Sequence, residues 1–337
     1  MVTKKNAGNG IEDACAFLKS FVYASLMRRK YPKAIRWLIT EKCNQKCLYC
    51  SGQKNNGQEL STLAVFGLIK EMEKAGIKYI SFTGGEPLLR EDLGEIIDFA
   101  AGRRIVVKIN TNGFFLKARI KELRNTSIIH LSLDGNREIN DSVRGGDSFD
   151  KAVMGLESAI EENIPVYINS VISKLNVKTI ENILGICLRY KVGVYFQPSR
   201  MNIFGEKSAN PVAPEPDEYK QAVQKIMLLK KTRLYGKIIL NSARGLEYLS
   251  HWPLPEVIPC FAGLTVFRLD AKGILYPCNE MADSGINAIA HGLAESIKKI
   301  SYSPCRECWC ANLVEYNFMM SLNLNALRNF FFTKQNL

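Results

Sequence analysis

The chain has 337 residues, 47% of them hydrophobic and 23% charged, with 45 Lys and Arg against 33 Asp and Glu. That balance excludes a disordered polypeptide, and no run of about 18 uncharged apolar residues offers a membrane-spanning helix. The N-terminus lacks the apolar core of a signal peptide, so the ten cysteines are expected in a reducing cytoplasm, as metal ligands or reactive groups and not as disulfides.

Charge is concentrated at the start. Residues 1–40 hold eight Lys or Arg against Glu12 and Asp13, half of the net charge of +12. Residues 1–33 are expected to form a segment built on a basic amphipathic helix from Phe17 to Lys30. It would dock through Phe17, Phe21 and Leu26 and keep its charges in water. The alternatives are an anionic lipid surface, with peripheral membrane contact, an acidic peptide or RNA. The chain shows no RNA-recognition module or aromatic stacking motif, so nucleic acid is not expected.

Residues 34–210 read as the core. Strands are predicted at Ile35–Thr40, Lys78–Thr83, Arg104–Asn110, Ser127–Leu133, Val166–Ile172 and Gly193–Gln197. Between and after them, helices are predicted at Thr62–Lys74, Glu91–Ala101, Leu116–Leu123, Phe149–Glu162, Val177–Tyr190 and Pro216–Lys231. This alternation implies an α/β fold of parallel strands with right-handed crossovers, six units making an open, curved sheet. The polar ends Thr83-Gly84-Gly85-Glu86-Pro87, Asn110-Thr111-Asn112-Gly113, Ser132-Leu133-Asp134-Gly135, Asn169-Ser170 and Gln197–Arg200 would then share one side, where such folds build active sites. Ordinary turn chemistry explains any one of them.

Residues 211–259 read as a linker and helices, including a helical pattern over Leu234–Leu249. Residues 260–337 form a small Cys-rich extension. A hairpin is predicted there from Leu264–Leu269, the turn Asp270–Gly273 and Ile274–Tyr276. The apolar tail Leu313–Phe332 is expected to pack back on the core as a helix, or to wall a substrate pocket.

Cys43, Cys47 and Cys50 place three thiols within eight residues, after the first strand. Three soft sulfur ligands so close suit three corners of a [4Fe–4S] cluster, leaving the fourth iron open. Zinc with a distant fourth ligand competes, although His130, His251 and His291 are all remote in sequence. Cys260, Cys278, Cys305, Cys308 and Cys310 form a second set, for a cluster or again for zinc. Cys15 and Cys187 lie on helical patterns and read as small buried hydrophobes.

Cys43-x3-Cys47-x2-Cys50, with Tyr49 before the last cysteine, resembles the signature of the radical S-adenosylmethionine (SAM) superfamily. Thr83–Pro87, Asn110–Gly113 and Ser132–Gly135 resemble further motifs of its subgroup containing cofactor cyclases and maturases. The resemblance spans about residues 35–200. It implies a partial (β/α)6 barrel that reductively cleaves SAM at the open iron, the resulting 5′-deoxyadenosyl radical abstracting a substrate hydrogen. It also assigns roles to particular residues. Gly84, Gly85 and Glu86 would meet the SAM amine, with Asn112 nearby. Ser132 and Arg144 would hold its carboxylate, and Tyr49, Asn169 and Val171 its adenine.

Cys260-x12-Gly273-x4-Cys278 resembles the opening of a SPASM or twitch extension, which implies one auxiliary [4Fe–4S] cluster here. Its ligands would be Cys260, Cys278, Cys305 and Cys308, with Cys310 as spare or substitute. Neither Glu280 nor Asp270 stands out as a base. The family implies an electron donor such as flavodoxin or ferredoxin and a peptide, small-molecule or lipid substrate. A peptide partner would need its recognition domain on another chain.

Overall fold

The computed structural model describes residues 18–51, 59–203, 208–254, 256–281, 284–302 and 308–333, with side chains to Asn329. All six core strands form: β1 Ala34–Thr40, β2 Tyr79–Gly84, β3 Val106–Thr111, β4 Ile128–Ser132, β5 Val166–Ile172 and β6 Gly193–Pro198. Each pairs in parallel with the next, in chain order. The crossovers are α1 Thr62–Lys74, α2 Leu93–Ala101, α3 Leu116–Arg119, α4 Arg137–Arg144, α5 Ser148–Glu161 and α6 Glu181–Tyr190. α3 tightens into a 3-10 turn over Ile120–Leu123.

Strand alternation sorts the two faces of the sheet. Ile35, Trp37, Ile39, Ile80, Phe82, Val107 and Ile109 are buried in the core shared with the helices. A typical example is α1, which starts where the Ser61 hydroxyl accepts from the Ala64 amide and buries Val65, Leu68, Ile69 and Met72. The intervening strand residues Arg36, Ser81, Lys108 and Asn110 are half-buried and point to the opposite, open face. That face is where chemistry can take place.

Beyond the N-terminal segment, three features depart from expectation. α4 was not foreseen, because Arg137–Arg144 carries almost no apolar stripe; the Asn136 side chain starts it by accepting from the Ile139 amide. The helix expected over Leu234–Leu249 shrinks to α8 Ala243–Leu249, after α7 Pro216–Lys230. Its first part forms turns that end in a single bridge to β6: the Leu240 amide donates to Val194 and the Val194 amide to Ile238. Then Ser242 starts a new helix by accepting from the Gly245 amide.

The third departure is at the C-terminal region. The hairpin forms as β7 Val266–Leu269 and β8 Ile274–Tyr276, but β7 also pairs in parallel with β1, from Ala34↔Val266 to Trp37↔Leu269. With β9 Ile286–Asn287 the sheet has nine strands, in the order β6-β5-β4-β3-β2-β1-β7-β8-β9, so it runs across the boundary drawn at residue 260. Beyond it lie α9 Ala288–His291, α10 Leu293–Lys299, α11 Ala311–Met320 and α12 Leu324–Thr333. The apolar tail packs inward through Val314, Phe318, Met319 and Met320.

The basic N-terminal helix is short, with a π-helical turn at Val22–Leu26. It docks through Ala24, whereas Leu26 is 68% exposed, contrary to expectation; Phe17 lies outside the described residues. Lys30 is not solvated: its ammonium donates to the carbonyls of Ile297, Lys298 and Ile300, capping the end of α10. Among the described residues no helix is long and apolar enough to cross a membrane.

Candidate active site

The loop that follows β1 carries Cys43, Cys47 and Cys50, all half-buried. Two backbone bonds fasten it to the glycine-rich end of β2: the Gly85 amide donates to Thr40 (2.9 Å) and the Glu86 amide to Lys42 (2.7 Å). A Cβ on Gly84 would stand 2.5 Å from the Thr40 carbonyl oxygen, and one on Gly85 2.6 Å from the Lys42 carbonyl carbon and 2.8 Å from the Cys43 Cβ. The close approach that requires glycine here is to the thiol loop itself.

The three thiols feel one another's charge, and Arg144 stands within Coulomb range of Cys43 and Cys47. Burial pushes the Cys43 thiol up and that of Cys47 up to about 11, with Arg144 pulling the other way. Thiols held protonated are poor nucleophiles, whereas a metal would displace their protons and gain three thiolates. Among the described residues no three His, Cys, Asp or Glu side chains converge tightly enough to grip one metal ion. Zinc–sulfur bonds of about 2.3 Å would bring zinc-bound sulfurs within about 4 Å of each other. Three soft thiolates on one loop are a donor set that suits a [4Fe–4S] cluster with one iron left open.

Asp134, which sequence reading noted only as part of a strand-end motif, organises this end of the sheet. It is 1% exposed. Its Oδ2 accepts from the Tyr49 hydroxyl (2.8 Å) and Arg144 Nε (2.9 Å), and its Oδ1 from the Val171 amide (2.8 Å). Asn176 Nδ2 donates to the Asp134 and Val171 carbonyls, and Asn140 Oδ1 accepts from the Asp134 amide. Burial, and next the Asp134 carboxylate that accepts its hydrogen bond, hold the Tyr49 phenol protonated, despite Arg144.

This geometry shows what already engages the residues assigned to SAM. Both backbone polar groups of Val171 are taken by Asp134 and Asn176, leaving only its side chain for a ligand. Arg144 commits Nε to Asp134 and lies 5.7 Å from the Tyr49 ring centre, so any anion it holds must use the rest of the guanidinium. Ser132 and Asn169 are neighbours in the β4–β5 register, both half-buried. Glu86 is fully buried, and its carboxylate accepts from the Leu88 and Asn112 amides and the Thr111 hydroxyl. Burial pushes its pKa up to about 7 against those bonds. It fixes the Asn112 turn, and Asn112 in turn donates to Asn44 inside the thiol loop (2.9 Å).

The second thiol set lies elsewhere. Because β7 runs parallel to β1, Cys260 before β7 and Cys278 after β8 stand toward the opposite end of the sheet from the Cys43–Cys50 loop. Cys260, Cys278, Cys308 and Cys310 line one cavity with Arg36, Arg200 and Trp309. Cys305 is outside the described residues. Cys310 thus faces the same cavity as Cys308, at the residue that caps the start of α11. Cys187 is buried, as expected. Glu280 forms a two-bond ion pair with Arg200 (2.6 and 2.5 Å), and Asp270 closes the hairpin turn by accepting from the Lys272 and Ile274 amides and the Tyr276 hydroxyl. Neither is a free base.

Residues 37–186 match the family model described as Radical SAM superfamily. The chain is 28% identical over 263 residues to mycofactocin maturase MftC of Mycolicibacterium smegmatis, covering 73% of this chain and 64% of that protein. It is 29% identical over 266 residues to the probable GTP 3′,8-cyclase of Methanocaldococcus jannaschii, covering 75% and 87%. In fold it is similar to native anSMEcpe with bound AdoMet (TM-score 0.64, 18% identity, 79% of this chain and 80% of that one). It is also similar to Streptococcus suis SuiB bound to its precursor peptide SuiA (TM-score 0.62, 15% identity, 85% and 69%). The chain thus spans just under two thirds of the length of the mycofactocin maturase it matches.

Proposed function

We propose, from the radical SAM domain that this chain carries over residues 37–186, that it is a maturase-type enzyme that abstracts a hydrogen from a peptide or small molecule, with one auxiliary [4Fe–4S] cluster. The observation that carries this reading is the loop of three mutually interacting thiols, locked to the glycine end of β2 and flanked by Arg144. When bound there, a site-open [4Fe–4S] cluster and SAM would supply a one-electron cleavage that yields a hydrogen-abstracting radical.

The chain's own residues contribute positioning. Gly84, Gly85 and Glu86 hold the thiol loop in place, and Asp134 holds Tyr49 and Arg144 against it. Arg144, with Ser132, would meet the SAM carboxylate by a charge-assisted contact. Cys260, Cys278 and two of Cys305, Cys308 and Cys310 would hold the auxiliary cluster, and the shared cavity favours Cys308 and Cys310. A peptide substrate is supported by the similarity to a mycofactocin maturase and to SuiB.

The test is anaerobic reconstitution. About eight irons per chain, two cubanes, and 5′-deoxyadenosine on reduction with SAM are expected. Replacing Cys43, Cys47 and Cys50 by Ala should abolish cleavage. A protein that takes up zinc only, with no iron–sulfur absorbance, would sink the reading.

A second reading places the substrate at a lipid surface, and one observation favours it. Leu18, Leu26 and Met27 are exposed beside the exposed Lys19, Arg28 and Arg29. Sedimentation with anionic vesicles at low salt, lost on Leu26→Glu, supports this reading; no sedimentation removes it.

A further inference from the structure

The open face of the sheet holds a row of cations that no carboxylate neutralises among the described residues. β7, β1, β2 and β3 are in register through Arg268↔Arg36, Arg36↔Ser81 and Ser81↔Lys108. Strands about 4.8 Å apart put Arg268 beside Arg36 and Lys108 roughly 10 Å further along. Like charges directly opposite on neighbouring strands repel, and such a pair persists at a cost unless something anionic lies between them.

Among the described residues none of the three makes an ion pair. The nearby carboxylates are committed: Asp270 to its turn and Tyr276, Glu280 to Arg200. Glu41 stands only within Coulomb range of Tyr276. The cations rest on aromatic rings instead, Arg268 4.9 Å from the Tyr276 ring centre and Lys108 5.7 Å from that of Tyr79. Lys108 is sunk deeply enough that lost hydration alone lowers its pKa.

The place of this row matters as much as its charge. Arg36 is four residues below Thr40, about 13 Å at the usual rise of a strand, so the row lies beneath the Cys43–Cys50 loop. Arg36 also lines the cavity of Cys260, Cys278, Cys308 and Cys310. The row thus lies between the two thiol sets.

From these observations we infer that the substrate carries an anionic group, carboxylate or phosphoryl, that docks against Arg268, Arg36 and Lys108 while its reacting part extends toward the Cys43–Cys50 loop. This rests on the radical SAM reading for the direction of the reacting part. The anion site itself rests on register and charge alone.

The test uses the reconstituted full chain with SAM bound. Calorimetry at low salt titrates inorganic pyrophosphate in one arm and triglutamate in the other, with triglutamine as neutral control. Binding in either arm is expected, pyrophosphate marking a phosphorylated substrate and triglutamate an acidic peptide. Losing one charged contact should weaken it roughly tenfold or more in Arg268→Gln and in Lys108→Gln. Lys108→Arg should restore it, and Lys121→Gln on the outer surface should leave it unchanged. Without ligand, Arg268→Gln should unfold at or above the wild-type temperature, since it removes repulsion; a merely structural arginine would give a drop. No binding in either arm, or binding that both variants retain in full, overturns the inference. 5′-Deoxyadenosine from the same preparation is measured separately, so absent SAM cleavage with intact anion binding sinks the proposed function and not this site.

Discussion

Replacing Asp134 by Asn tests the organisation of the thiol end most directly. The variant keeps the shape of the side chain but removes the negative charge that faces Arg144 Nε at 2.9 Å and the Tyr49 hydroxyl at 2.8 Å. Asn Oδ1 can still accept from the Val171 amide, which leaves an NH2 group aimed at two donors. Arg144 is 7% exposed and Asp134 fully buried at the side-chain level, so the guanidinium is left buried without its counter-charge. Breaking a buried pair from one side costs about 3–5 kcal/mol. At about 2 °C per kcal/mol for a chain of this size, the unfolding temperature should drop by roughly 6–10 °C. Tyr49→Phe removes one hydrogen bond to the same carboxylate and keeps the ion pair, so it should cost only about 1.5–3 kcal/mol. Scanning fluorimetry of both variants under reducing, anaerobic conditions gives the comparison. If Asp134→Asn unfolds within 2 °C of wild type, or Tyr49→Phe is as damaging, Asp134 does not hold this end together.

Glu86 gives a pH dependence: burial pushes its pKa up from the ordinary 4.5 to about 7. The folded state therefore binds this proton more tightly than the unfolded one. The stability this contributes is present below about pH 4.5 and is lost as pH rises through 7. Urea midpoints should fall from pH 5 to pH 8 in wild type, and an equal fall in Glu86→Gln would assign the effect to other groups. In Gly85→Ala the new Cβ must displace the Lys42 carbonyl and Cys43, so about four irons should be lost from the first site while the second stays loaded; full iron content would show that the loop yields easily. Cys278→Ala should lose the other four irons, or about that number, yet still cleave SAM slowly. Cys310→Ala should lose them too, and full retention would return the fourth place to Cys305.

The sequence by itself determined the strand–helix order and the two thiol sets, because both are local. β-branched runs at regular spacing, Ser61 before an apolar helical stripe, and three cysteines within eight residues carry their meaning without knowing what lies across the fold. Where a signal was not local, it went unread. α4 has almost no apolar face, and its place depends on the Asn136 cap and on Arg144 meeting Asp134. Residues 234–242 have a helical pattern, but the open edge of β6 offered unpaired backbone groups that Ile238 and Leu240 could satisfy. The motif marks Glu86 but says nothing of its surroundings; only the packed structure shows three donors around its carboxylate. The row of Arg268, Arg36 and Lys108 joins residues more than 200 positions apart, and no periodicity could place them together. It exists because β7 adds to the sheet beside β1, and strand register is a property of the folded sheet, not of the chain.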